Sequence, residues 1–111
     1  MRVIDAGHTY ELDNLKEVGV SLLSFFKDSE LHDKGQSGPS VQEVMRAVID
    51  RVQYLDSEKP WAGNAEIIQR AREIIVLFEM RALFYKVVKG ELEIEKLPLG
   101  DDGHIVIGGS K

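Results

Sequence analysis

The stretch "DSEKPWAG" (56–63) sets Pro60 and Gly63, both helix stoppers, between two segments whose apolar residues recur at helical spacing. A chain punctuated this way must leave one helix and enter another within a few residues. Two helices with so short a connection lie antiparallel, as a hairpin. The first helix has a defined start. Ser40 and Glu43 form an S-x-x-E capping box after Pro39, which gives partners to backbone N–H groups that would otherwise lack them. Its apolar stripe is Val41, Met45, Val48, Val52 and Leu55, with Arg51 at the flank and Asp50 and Tyr54 one turn apart beside it. The second helix is expected from Asn64, as N-cap, to about Lys89, with Glu66 facing the positive end of the helix dipole. Ile68, Ala71, Ile75, Phe78, Ala82 and Tyr85 make one stripe, which Ile67, Ile74 and Val88 widen. That band is too wide for one partner helix, so the N-terminal sheet or a second copy of the chain must cover the rest.

Ahead of the hairpin, residues 1–27 suggest β strands. "HTYEL" alternates, with Tyr10 and Leu12 on one face and Thr9 and Glu11 on the other. "VSLLSFFK" (20–27) is apolar on both faces, the pattern of a strand covered on two sides. The link "LKEVG" turns a hairpin at Gly19, and the polar, Gly/Ser-rich residues 28–39 are expected as loop. After Gly90 the pattern returns to alternation, "ELEIEKL" then "HIVIGG", so residues 90–111 are expected as a short β tail. The expected fold is one α+β domain over 1–111: a small antiparallel sheet, a helical hairpin over 40–89, and the tail.

Charge and composition narrow the function. The net charge is −5, from 19 acidic and 14 basic residues, the reverse of what gripping long nucleic acid requires. A small anionic ligand is not disfavoured, because one arginine in a recess acts locally. Cysteine is absent, which excludes disulfides and thiolate metal sites. "MRVIDAGHTYEL" has no apolar run of the signal-peptide kind, and "IIVLF" is far short of a membrane span. The expectation is a soluble, intracellular protein with no membrane contact.

Catalytic chemistry is not expected. His8, His32 and His104 stand in separate segments without metal-ligand spacing. Glu66, Glu73 and Glu79 would suit a magnesium-dependent nucleotide hydrolase only with adjacent acidic pairs on both helices, and those are absent. Binding chemistry has better candidates. Tyr54 is either a packed aromatic at a helix end or a platform on which a base stacks. Asn64 is a helix cap or a ligand contact, and the two roles are compatible. Arg81 interrupts the row Ile67, Ile74, Val88. It needs water, a carboxylate or a phosphate, since a guanidinium cannot lose its charge. Arg51 and Tyr85 are open in the same way, and Trp61 is a rim contact or a hydrophobic staple.

Taken in order, "VIDAGHTYEL", "VQEVMRAVIDRVQYL", a proline turn ending in Asn64, and "ALF" after Arg81 resemble the phage anti-Thoeris sponges. That family, Thoeris anti-defence protein one, shares a helical hairpin with phage anti-CBASS sponges. The resemblance covers about residues 2–85, and its most specific part is the D-R-x-x-Y-L core with the Pro…Asn…Arg order. It implies a non-enzymatic viral protein, without cofactor or metal, acting in the host bacterial cytoplasm. Such a protein sequesters cyclic nucleotide immune signals: glycocyclic ADP-ribose and, in some members, cyclic oligonucleotides. It also implies a homodimer or larger homo-oligomer with ligand pockets between chains. By matched position, Tyr54 would stack the base, Asn64 would contact ligand and Arg81 would meet phosphate. Trp61-Ala62-Gly63 replaces the family's usual Cys-Arg-Glu, and Tyr85 stands where a second arginine is usual. A protein-binding hairpin acting on a host protein is the alternative reading, and a metal-dependent nucleotide hydrolase a third.

Overall fold

A computed structural model describes residues 1–28 and 34–90. The expected C-terminal β tail, His104 and His32 lie outside them. Three strands, β1 (Arg2–Asp5), β2 (Thr9–Asp13) and β3 (Val20–Ser24), are followed by two helices, α1 (Val41–Glu58) and α2 (Gly63–Val88). This is the expected α+β order. The chain divides into two compact units, Met1–Glu43 and Val44–Lys111. No helix among the described residues is long and apolar enough to cross a membrane.

The strands form one antiparallel sheet in the order β1-β2-β3. Gly7, at φ 78°, lets the chain reverse between β1 and β2, and the His8 N–H closes that turn on the Asp5 carbonyl at 2.9 Å. Register then sorts the side chains. Val3 opposes Tyr10, and Tyr10 opposes Leu23, so these three share a face. The Tyr10 and Phe25 rings meet edge-on, 6.0 Å between centroids. The other face carries Arg2, Glu11 and Asp13 and is laced by the Arg2 ion pairs to both carboxylates. Leu22 and Val20 also fall on that polar face, opposite Glu11 and Asp13, and Leu22 is 68% exposed. The expectation that β3 is covered on two sides is therefore corrected. Its apolar run is continuous, but only one of its faces is covered within this unit.

The β2–β3 link turns where expected. Gly19 sits at φ 137°, and the Asn14 N–H donates to the Gly19 carbonyl at 3.1 Å. The stretch expected as loop is partly stitched down. Lys27 and Gln36 exchange backbone hydrogen bonds of 2.9 Å, and the Gln36 amide donates to the Phe25 carbonyl at 3.0 Å. Phe26 N–H reaches the Pro39 carbonyl at 3.0 Å. Gly38 makes this approach possible, because a Cβ there would lie 2.3 Å from the Ser24 carbonyl oxygen.

The capping residue behaves as read: Ser40 Oγ accepts from the Glu43 N–H at 3.1 Å at the head of α1. Residues 59–62 turn the chain into α2. At α2 the expected cap changes, while the end falls where expected. Its N-cap is Ala62, in helical conformation with no side-chain cap, and Asn64 lies inside the first turn. Its end is sharp, with Gly90 at φ 77° and its N–H on the Val87 carbonyl, the left-handed stop that glycine permits. Among the described residues Val52, Ala71 and Leu83 are the buried apolar residues of the helical unit; Leu83 lies outside the expected stripe, yet is 3% exposed. Ile67, Ile74, Leu77, Phe84 and Val88 are all exposed.

Gly38→Ala is expected to lower stability by about 1–3 kcal/mol, since a backbone oxygen cannot give way as a flexible side chain can. Gly63→Ala meets only the movable Trp61 ring, so it should leave stability near wild type. Urea unfolding of the two variants checks the contrast, which equal losses would contradict.

Candidate functional site

Asp56 sits in the last turn of α1, at the negative end of the helix dipole, where a carboxylate is disfavoured unless donors face it. It has two. Its Oδ1 accepts from the Asn64 side-chain amide at 2.8 Å and from the Trp61 backbone N–H at 3.3 Å. These bonds hold its carboxyl below the usual carboxylate range, with the Asn64 bond the larger cause. The second Asp56 oxygen has no protein partner among the described residues. Across the turn, the Trp61 indole lies against the Gly63 backbone, 2.2 Å from where a Cβ would be. One part of the ring is thus seated on peptide while the side chain remains 66% exposed. Asp56, Pro60, Trp61, Ala62, Asn64 and Ile68 line an open cavity of about 490 Å³.

Of the residues named from sequence, Asn64 is in this cavity; Tyr54, Arg51, Arg81 and Tyr85 are not. They form two arginine–tyrosine pairs. Arg51 lies over the Tyr54 ring on α1, 5.9 Å from its centroid, and Arg81 over Tyr85 on α2, at 5.0 Å. Arg81 has no ion pair among the described residues, whereas Arg70 on the same helix holds Glu66 at 2.7 Å and Glu73 at 3.1 Å. Arg81 is not among the residues that line this cavity. Its guanidinium is exposed, between the exposed side chains of Leu77 and Phe84. Asn64 and Arg81 are roughly 25 Å apart along α2 at about 1.5 Å rise per residue, so a single small ligand on one chain cannot touch both.

Asp56 was not legible as a site residue from spacing alone. The available signal was an acidic side chain where the helix dipole opposes it, eight residues ahead of an amide that could donate. In the first unit His8, Tyr10, Phe25, Phe26, Pro39 and Ser40 line a second cavity of about 320 Å³. There His8 Nδ1 lies 2.9 Å from the Ala6 carbonyl oxygen and 3.9 Å from Asp5 Oδ2. Among the described residues no cluster of three or more His, Asp or Glu side chains is arranged to hold a metal. Compared with family models, curated proteins and solved structures, the chain finds no match.

A carboxyl held below its ordinary value contributes stability that is fully present above about pH 3.9, and that is lost as pH falls through the lowered folded value. Urea midpoints measured from neutral pH downward should therefore drop on the acid side. Asp56→Asn should flatten that acid limb, because an amide oxygen can keep both bonds without titrating. An acid limb of unchanged steepness in the variant would remove Asp56 as its source.

Proposed function

We propose that this protein is a non-enzymatic phage sponge that sequesters a small cyclic nucleotide immune signal in the host bacterial cytoplasm. Glycocyclic ADP-ribose is the first candidate and cyclic oligonucleotides the second. One observation carries the reading: Arg81 presents a guanidinium with no ion pair among the described residues, steadied by the Tyr85 ring, within an exposed apolar row of α2. A cation that finds no carboxylate among the described residues is suited to an anionic ligand, and an arginine–phosphate pair both attracts and orients. The exposed Leu77 and Phe84 beside it fit burial by a second copy, which would exclude water from the pair and bring a partner's Asn64 within a ligand's reach. The pairing of Arg51 with Tyr54 offers the same chemistry, phosphate to the cation and base to the ring.

The same exposed row supports a second reading, in which the hairpin docks a host protein through α2 and Trp61. The two separate cleanly. Under the sponge reading, purified protein removes glycocyclic ADP-ribose from solution and returns it intact on heat denaturation. At a hundredfold excess over Kd the ligand raises stability by about 2.7 kcal/mol, and Arg81→Ala abolishes that gain without unfolding the chain. A cleaved product would point to an enzyme. A stoichiometric protein partner, with no small molecule released on boiling, would favour the docking module.

A further inference from the structure

Trp61, Asp56 and Asn64 have more in common than the turn they share. The indole is seated on Gly63 and largely open to solvent. Asp56 is tied at one oxygen, so its position is fixed, while the other oxygen is left without a protein partner. Both side chains line the same cavity, whose volume of about 490 Å³ is ample for a nucleobase with its sugar. The remaining walls, Pro60, Ala62, Ala65 and Ile68, are apolar. A flat apolar platform stacks any base, because every base offers a π face. An ionised carboxylate is more selective. It accepts hydrogen bonds and donates none, so it favours an exocyclic amino group and repels a carbonyl at the same position. The lowered carboxyl keeps Asp56 in that acceptor-only form at neutral pH.

We propose that the hairpin turn is a base-reading site in which Trp61 stacks a purine and the free oxygen of Asp56 accepts from its exocyclic amino group. The site selects 6-amino purine nucleotides such as AMP over their 6-keto counterparts. This rests on the nucleotide-binding reading, and it assigns base recognition to Trp61 and Asp56 rather than to Tyr54. Asn64 acts here by holding Asp56 in place.

Trp61 is the chain's single tryptophan, so intrinsic fluorescence excited on the red edge of the indole band reports this site alone. Titration with AMP should quench it, and IMP should need about a tenfold higher concentration, the order of one hydrogen bond to a charged acceptor. Asp56→Asn puts an amino group where the free oxygen was, so the preference should reverse towards IMP. Gly63→Ala should displace the ring and weaken quenching by both nucleotides while helical circular dichroism is retained. Equal quenching by AMP and IMP would overturn the proposal. So would equal quenching by a simple organic cation such as spermidine, which would place an ammonium group there instead. If no purine quenches while the protein still withholds glycocyclic ADP-ribose from solution, the turn site is refuted and the sponge reading stands. If AMP quenches as expected but the cyclic messenger is not retained, the sponge reading fails and the turn site stands.

Discussion

One carboxylate oxygen governs how the helical half of this protein is put together. Asp56 Oδ1 gathers a side-chain amide from the start of α2 and a backbone N–H from the turn itself. Because a single atom receives both, the end of α1, the turn and the first turn of α2 cannot be repositioned separately. The seating of the indole on Gly63 follows, since its peptide N–H is one of the two tied groups. The start of α2 is also set this way. With Asn64 committed to Asp56, its side chain is not available as an N-cap, and the helix begins at Gly63 behind an uncapped Ala62.

The second governing constraint is a division of the α2 surface. Ala71 and Leu83 are buried, while Leu77, Arg81, Phe84 and Val88 run exposed along another face and Ile67 and Ile74, one turn from Ala71, lie at its border. An apolar row of that length is more than an isolated soluble chain ordinarily leaves uncovered. Under the proposed reading a second copy would cover this row. The arginine is destabilising against lipid-like neighbours alone, and it becomes favourable when an anion enters with it. The Arg81–Tyr85 stack holds the guanidinium in one orientation, which under the proposed reading would reduce the ordering cost of binding.

Elements governed by local chemistry could be read from residues alone. The capping serine, the turn at Pro60 and Gly63, the alternation of β2 and the hairpin at Gly19 all act within a few residues. Elements set by contacts across the chain could not. The buried place of Leu83 depends on what lies over α2, and periodicity put the residue off the stripe. The exposure of Leu22 follows from register: opposite Glu11, an apolar residue shares the polar face whatever its own preference. At the site, residue type identified Asn64 and Arg81 as polar groups needing an explanation. Only coordinates could show that Asn64 answers to Asp56, and that Arg81 lies far along the same helix from it. Trp61 was visible as a departure from the sponge pattern, but its seat on Gly63 was not.

The loop of residues 14–19 has a practical consequence for anyone handling this molecule. It is closed by the Asn14–Gly19 hydrogen bond, and Leu15 and Val18 at its crest touch almost nothing of their own chain. Lengthening a loop already closed at its base adds only about 0.6 kcal/mol of closure entropy per doubling. A short epitope or a fluorogenic peptide spliced into that crest would therefore ride on the sheet unit with little cost to its fold.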